Sequence, residues 1–229
     1  MQSLYPIMSR ICIRNSGCEK LISVAGGGLR GLSCAMELLS NNLEVTIYET
    51  RQEIGNPVRS PGIIRNLNPE YISKCNAKLN DNGWGLRRDW LEKQLAKSVL
   101  DKGGRIILKT EAPEGSIDCR GGKSPAPGWP STNNADANLV VWNGGITIKT
   151  NLPDEFKLNK FEENKFCFEH SDGLIECWII GDLPKAPQGW LELISGEHPN
   201  STEMIWADES ILEGKELATK TIQSLQGGI

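Results

Sequence analysis

The sequence predicts an α/β fold: a mostly parallel sheet layered between helices, joined to a much smaller β region. Three features carry that expectation. The apolar run at 21–25 breaks into Gly26-Gly27-Gly28, passes into a segment with apolar residues at helical spacing, and returns to a β-rich run at 44–48. A second helical segment at 88–102 is stopped by Gly103-Gly104 and followed by the strand-like 105–108. Two β-rich runs, 165–169 and 175–180, flank Ser171-Asp172-Gly173, a good hairpin signal. The organisation this implies is an N-terminal extension over 1–20, a main part over 21–145 with an irregular stretch at 111–138, a reduced β region over 146–180, and a return to the main part over 181–229.

Each element has a local reason. In the extension, Ile11-Cys12-Ile13 reads as a short strand turning at Asn15-Ser16-Gly17, and Met8 reads equally well as the true start, with the residues before it a disordered tail. Residues 21–25 suit a buried parallel strand. Leu32, Ala35, Met36 and Leu39 then share one helical face, and Asn41-Asn42 end that helix. Strand, glycine turn, helix and strand make a βαβ unit. Residues 52–82 are rich in Gly, Pro, Asn and Arg and read as a long functional loop. In the next helix Leu91, Leu95 and Val99 stack at four-residue steps. The stretch 111–138 is poor in apolar residues and carries Pro113, Gly115, Pro125, Pro127 and Pro130, so it reads as loop or a much reduced meander. Residues 139–142 form another strand candidate, ended by Gly144-Gly145, and the tail from about 208 to 225 is helical, with Ile211, Ala218, Ile222 and Leu225 on one side.

Composition excludes several classes. The chain has 229 residues, 38% hydrophobic and 24% charged, enough for a sizeable core without staples. With 25 basic against 29 acidic residues, a net charge of −4 argues against a broad phosphate-binding face and so against a nucleic-acid partner. No apolar run approaches the roughly 20 residues that cross a bilayer, and Ser9, Arg10 and Arg14 interrupt any leader-like core, so a cytoplasmic protein is expected. The seven cysteines (12, 18, 34, 75, 119, 167 and 177) show no CxxC spacing. Reduced, buried thiols are the expected state, with Cys12 and Cys18 the pair most exposed to adventitious oxidation. Two histidines, His170 and His198, form no zinc-type cluster, and each reads as a surface residue. The seven tryptophans read first as core or interface packing, and only second as walls of a ligand site.

The strongest signal is Gly26-x-Gly28-x-x-Gly31 at the joint of strand and helix. One glycine permits the tight turn, one lets backbone approach a pyrophosphate, and one lets helix and strand pack closely. The helix amino end at Leu29 and Arg30 then faces phosphate with unpaired N–H groups and the positive dipole end. Glu49 ends the second strand about 20 residues on, where a carboxylate accepts hydrogen bonds from both ribose hydroxyls and disfavours a 2′-phosphate. This is a Rossmann-like dinucleotide site, and the fingerprint alone serves NAD and FAD equally.

Further segments narrow the choice. Glu49-Thr50-Arg51-Gln52-Glu53-Ile54-Gly55-Asn56-Pro57-Val58-Arg59 with Gly62, then Arg87-Arg88-Asp89-Trp90-Leu91, then Ala137-Asn138-Leu139-Val140-Val141-Trp142-Asn143-Gly144-Gly145, and lastly Trp178-Ile179-Ile180-Gly181-Asp182 together resemble FAD-dependent oxidoreductases of the geranylgeranyl reductase and aromatic hydroxylase superfamily. The resemblance covers 20–110 well and 137–182 in patches. It implies FAD as cofactor, with the pyrophosphate at Gly26, Gly28, Leu29, Arg30 and Gly31, and the adenosine ribose at Glu49 and Thr50. It further implies that Arg51, Arg59, Gly62 and Arg88 lie along the cofactor, and that Gly181 and Asp182 meet the ribityl chain.

Departures from the family are also visible. The β region leaves room for only two to four short strands where the family carries a substantial substrate sheet; Ser60 stands where a cysteine is expected, and 183–190 lacks the family's glycine-rich loop. No nucleophile–base set or metal set is visible, so no catalytic residue is named. The expectation is a compact FAD flavoprotein acting on a small or apolar organic substrate, since the flavin itself carries the redox chemistry. The alternatives are a dinucleotide-binding module without turnover and a subunit completed by a partner chain, with a homo-oligomer one form of that; an NAD-dependent dehydrogenase ranks last.

Overall fold

Strand β1 (Ile22–Ala25) leads through the glycine turn into helix α1 (Leu29–Ser40), and the chain returns as β2 (Val45–Glu49). β1 and β2 pair in parallel from Ile22↔Val45 to Ala25↔Tyr48, the expected βαβ unit. These elements come from a computed structural model that describes residues 21–120, 139–202 and 206–227. The expected extension 1–20, with Cys12 and Cys18, lies outside the described residues, as does Trp129. Helix α1 stops where Asn42 takes φ 60, a left-handed conformation that asparagine tolerates better than most residues.

The stretch 52–82 is more ordered than its composition suggests. It contains β3 (Ile63–Ile64), helix α2 (Pro69–Lys74) and β4 (Lys78–Asn80), and with β5 (Gly83–Gly85) makes a three-stranded antiparallel sheet in the order β3-β5-β4. Strands of two or three residues are too short to show a period. Helix α2 did carry a start signal: Asn68 caps it by accepting from the Glu70 N–H, with Pro69 in its first turn.

Helix α3 (Arg88–Asp101) and β6 (Arg105–Leu108) follow as expected, β6 pairing in parallel with β2. The fourth strand of this sheet corrects the reading. It is β7 (Ile117–Asp118), inside a stretch expected to be loop or a much reduced meander, and it pairs in parallel with β1 to give the order β6-β2-β1-β7. The strand candidate at 139–142 does not join this sheet. Leu139–Ile148 is instead β8, one antiparallel strand that runs through Gly144-Gly145 rather than ending there.

Packing explains why two glycines sit mid-strand. A Cβ on Gly144 would lie 2.8 Å from the Trp178 ring, and one on Gly145 would lie 2.4 Å from the Trp190 ring. They make room for an indole on each face, a close approach that only glycine permits. The hairpin β9 (Lys165–Glu169) and β10 (Leu174–Ile180) forms as expected. β11 (Glu192–Pro199) was not foreseen and pairs with β8 along its whole length, giving the order β11-β8-β10-β9. The expected division after residue 145 therefore falls inside β8, and of the segment 181–229 it is helix α4 (Ala207–Gln226) that returns to the parallel part. α4 presses on α1 where Gly214 meets the Arg30 carbonyl; a Cβ there would be 2.2 Å from that oxygen.

Two cores result. One lies around β1, β2, α1 and α3, with Val24, Leu32, Ile47 and Val99 fully buried. The other is the inner face of the antiparallel sheet, where Trp142, Phe166, Phe168 and Trp178 pack with Ile63 and Trp206. Tryptophans 142 and 178 are thus core residues. No helix among the described residues is long and apolar enough to cross a membrane.

Truncating one of these aromatic side chains should be costly. Phe168→Ala is expected to lower stability by about 3–5 kcal/mol, read as a lower denaturant midpoint with unchanged slope. A loss below about 1 kcal/mol would show that this face is not packed as described.

Candidate functional site

The site is built at the carboxyl end of β1. Gly26 takes φ +104, and its N–H donates to the Tyr48 carbonyl at 2.8 Å. Gly28 is the N-cap of α1 with φ −83, and no side chain caps the helix. No acidic residue stands in its first turn either, so the amino end keeps its donors and its positive partial charge. The three fingerprint glycines differ in their surroundings. A Cβ on Gly31 would sit 1.8 Å from the Gly26 carbonyl, and one on Gly26 would sit 3.3 Å from the Arg120 backbone, whereas one on Gly28 would meet nothing within 4 Å. Gly31 therefore serves close packing, Gly26 the turn, and Gly28 borders open space at the helix start.

Glu49 closes the site from β2. It is 5% exposed, and its carboxylate accepts from the Gly27 N–H at 2.8 Å, the Arg51 N–H at 2.8 Å and Arg51 Nη2 at 3.0 Å. Thr50 Oγ1 lies 3.4 Å from the same carboxylate. Burial pushes the Glu49 carboxyl up, but the Arg51 guanidinium and these hydrogen bonds outweigh it and leave the group below the usual glutamate range.

Residues 117–120 back the turn from the other side. The Cys119 N–H donates to the Ala25 carbonyl at 2.9 Å, and Arg30 Nη1 donates to the Arg120 carbonyl at 2.9 Å. Arg120 grips Asp118 through Nε at 2.7 Å and Nη2 at 2.5 Å, and Arg30 also pairs with Glu213 of α4. Arg120 was missed because its segment read as loop; the signal was the short Ile117-Asp118-Cys119-Arg120 run itself.

The remaining expected site residues gather elsewhere. Arg88, 7% exposed, donates to Glu92 at 3.1 Å and to the Pro61 carbonyl at 3.2 Å. Gly62 donates to the Glu176 carboxylate at 3.0 Å and accepts from the Leu86 N–H at 2.8 Å. The Arg59 side chain is exposed, while its carbonyl accepts from His198 Nε2 at 2.8 Å. Burial, helped by the Arg88 charge, holds the His198 imidazole below its ordinary value, which keeps it neutral as that donor. Segment 59–62 is thus clamped between α3 and the antiparallel sheet. Gly181 and Asp182 are exposed at the end of β10, where the Gly181 carbonyl accepts from Asn143 Nδ2 at 2.7 Å. They stand on the antiparallel sheet, not at the ends of the parallel strands.

Sequence reasoning also missed a buried network. His170, expected at the surface, is 1% exposed, and its Nε2 lies 3.0 Å from Glu176 Oε2. Trp178 Nε1 donates to Glu176 Oε1 at 2.6 Å, so three donors surround one carboxylate. Its residues are scattered over 62–178, and nothing local marks them. Among the described residues no group of three or more His, Cys, Asp or Glu is arranged to hold a metal ion.

Fold and site together define a Rossmann-like nucleotide-binding domain joined to an antiparallel sheet. A family profile described as an NAD(P)-binding Rossmann-like domain matches residues 24–78, which spans the glycine turn, Glu49 and the 59–62 segment. No curated protein matches the sequence. Among solved structures, a geranylgeranyl bacteriochlorophyll reductase-like protein from Thermoplasma acidophilum is similar over 91% of this chain and 80% of its own, with a TM-score of 0.62 and 14% identity. A flavoprotein/dehydrogenase from Cytophaga hutchinsonii covers 91% and 79%, with a TM-score of 0.57 at 12% identity. A triple mutant of the flavin-dependent brominase Bmp2 covers 91% and 81%, with a TM-score of 0.57 at 11% identity. The shared property is the fold, over about nine tenths of this chain.

Two predictions follow from the geometry. Gly31→Ala must displace the Gly26 carbonyl and should cost at least about 1–3 kcal/mol, whereas Gly28→Ala, whose Cβ meets open space, should leave the apo stability within about 0.5 kcal/mol. Thermal denaturation of both variants tests the difference. Because the folded pKa of Glu49 is lowered, its contribution to stability is present above the ordinary glutamate range and is lost as pH falls through the folded value. Glu49→Gln should therefore lose less stability than the wild type on acidification; equal losses would refute the role given to this carboxylate.

Proposed function

We propose that the chain is a FAD-binding flavoprotein, an oxidoreductase that acts on a small or apolar organic substrate. The observation that carries this reading is the uncapped amino end of α1 beside Gly28, with Glu49 held at the neighbouring strand end. The residues fit the adenosine diphosphate half of the cofactor. Backbone N–H groups of 28–31 and the helix dipole suit a pyrophosphate, and Gly28 leaves the approach clear. The Glu49 carboxylate suits ribose hydroxyls and repels a 2′-phosphate. Similarity in fold to proteins named as a flavoprotein, a reductase and a flavin-dependent brominase supports flavin over nicotinamide.

Bound there, the flavin would supply the electron or hydride transfer. The chain's own residues bind, orient and exclude water. Arg88 through Pro61, Glu176 through Gly62 and His198 through Arg59 hold the 59–62 segment in one place, the segment that the family resemblance sets along the cofactor. Arg59 keeps its side chain free of that clamp and is the residue proposed to face the cofactor. Asp182 would reach the ribityl chain from the antiparallel sheet.

A second reading has a specific observation behind it. The inner face of the antiparallel sheet is filled by Trp142, Phe166, Phe168 and Trp178, which leaves little of that face for a substrate. That favours a dinucleotide-binding module without turnover of its own, or a subunit whose substrate region comes from a partner chain.

The test is the visible absorption spectrum of the purified chain and identification of what heat releases. Yellow protein yielding FAD near one per chain is expected, and Glu49→Ala should weaken flavin retention about 10–100-fold. A colourless protein that also fails to take up added FAD would overturn the flavin reading. Flavin that is held but never reoxidised faster by any organic acceptor would favour the binding module.

A further inference from the structure

All five described cysteines are free and buried, and two of them face each other across the antiparallel sheet: Cys167 on β9 and Cys177 on β10 are direct partners. The register fixes which kind of pair they form. His170 donates its N–H to the Leu174 carbonyl and Ile180 donates to Asn164, so hydrogen-bonded pairs recur at every second position from either end. Phe168↔Glu176 and Phe166↔Trp178 then belong to the hydrogen-bonded set, and Cys167↔Cys177 lies between them as a non-hydrogen-bonded pair. Such pairs hold their Cα atoms about 4.5 Å apart, inside the span of about 4.4–6.8 Å that a disulfide bridges. Both side chains leave the sheet on the face opposite the aromatic core, where they cluster with Phe156 and with Ile175 of β10 itself.

Cys167 is also tied to that cover. Its Sγ donates to the Lys157 carbonyl at 3.1 Å, which joins β9 to the turn-rich segment 152–160. The hydrogen bond from Cys177 holds the Cys167 thiol below its ordinary value against the pull of burial, while burial pushes the Cys177 thiol up. The two thiols are thus unequal, Cys167 being the more readily ionised of the pair.

We propose that Cys167 and Cys177 form a reversible redox site, a cross-strand dithiol that a hydroperoxide oxidises to a disulfide and that thereby releases segment 152–160 from β9. Both thiols are buried, and hydrogen peroxide, close to water in size, enters on a local opening of the segment over them that does not admit larger disulfides. The Cys167 thiolate attacks one peroxide oxygen, the O–O bond breaks, and the leaving hydroxide takes a proton to become water. Cys177 then attacks the resulting sulfenic sulfur; the S–O bond breaks, the S–S bond forms, and the departing oxygen leaves as a second water with the Cys177 proton. Two thiols and one peroxide give one disulfide and two waters. In the disulfide Cys167 has no S–H left to donate, so the Lys157 carbonyl loses that partner.

The experiment uses the full chain. After treatment with hydrogen peroxide, free thiols are alkylated and the protein is digested with trypsin without reduction. Cleavage after Lys165 and Lys185 leaves both cysteines in one fragment, 166–185. The expected result is that this fragment loses the mass of two hydrogens and takes up no alkylating group, and that dithiothreitol restores both sites. In the folded protein, oxidation should also speed tryptic cleavage at Lys157 and Lys160. Cys177→Ser should divert Cys167 to sulfinic acid. The proposal is overturned if both thiols stay alkylatable while an added dithiol peptide is oxidised, or if Cys167 in the wild type goes to sulfinic acid without pairing. A disulfide that forms with cleavage at Lys157 unchanged overturns the release of the segment.

Discussion

The contact between Gly31 and the Gly26 carbonyl sets the geometry on which the rest depends. Any Cβ at residue 31 would overlap that oxygen, so the missing side chain lets α1 start directly against the end of β1. The helix axis is then aimed by the turn, and its uncapped amino end opens at the edge of the sheet beside β2. Two further close approaches extend the same stack. The Arg120 backbone closes behind Gly26, and Gly214 lets α4 press on the Arg30 carbonyl. Segments from three distant parts of the chain thus meet at one helix start, each through a backbone contact that a larger residue would push apart.

Two carboxylates then fasten the surrounding parts. Glu49 draws donors from Gly27 and Arg51 and so ties β2 to the turn. Glu176 draws them from Gly62, His170 and Trp178 and ties the antiparallel sheet to segment 59–62. A buried carboxylate is costly unless it finds hydrogen-bond donors, and in both cases each oxygen has at least one. The two sheets are linked through this polar clamp and through Ile63 and Trp206, which reach into the aromatic face. The glycine turn and segment 59–62 are thus each held in place by distant parts of the chain, the first by close backbone contacts and the second by buried polar groups.

Much of the parallel half was legible before any coordinates. The helix periods around Leu32 and Leu95, the glycine spacing and the carboxylate at the end of β2 are local patterns, and local patterns appear in a linear sequence. Where expectation failed, the deciding contact was distant. β7 is two residues long with no period to read, and it is a strand only because β1 lies beside it. Gly144-Gly145 looked like a stop signal, whereas indoles from Trp178 and Trp190 make glycine necessary in mid-strand. β11 lies in a segment broken by prolines and glycines just before it, and pairing along β8 defines it. His170 and His198 read as surface residues because nothing near them in sequence marks a partner, yet Glu176 and the Arg59 carbonyl supply one.

By itself, then, the sequence determined the βαβ unit, the turn that opens a helix end, and the chemistry of that opening. Those properties depend on residue types within about 30 positions of one another. Only the tertiary structure decided which strand completes the parallel sheet, that 139–199 forms one antiparallel sheet, and which polar groups clamp 59–62. The physical reason is that a strand's pairing partner and a buried group's donors are chosen by what packs nearby, and the residues that pack nearby here are separated by tens of positions, as Leu139 and Pro199 are, or by more than a hundred, as Gly62 and Glu176 are.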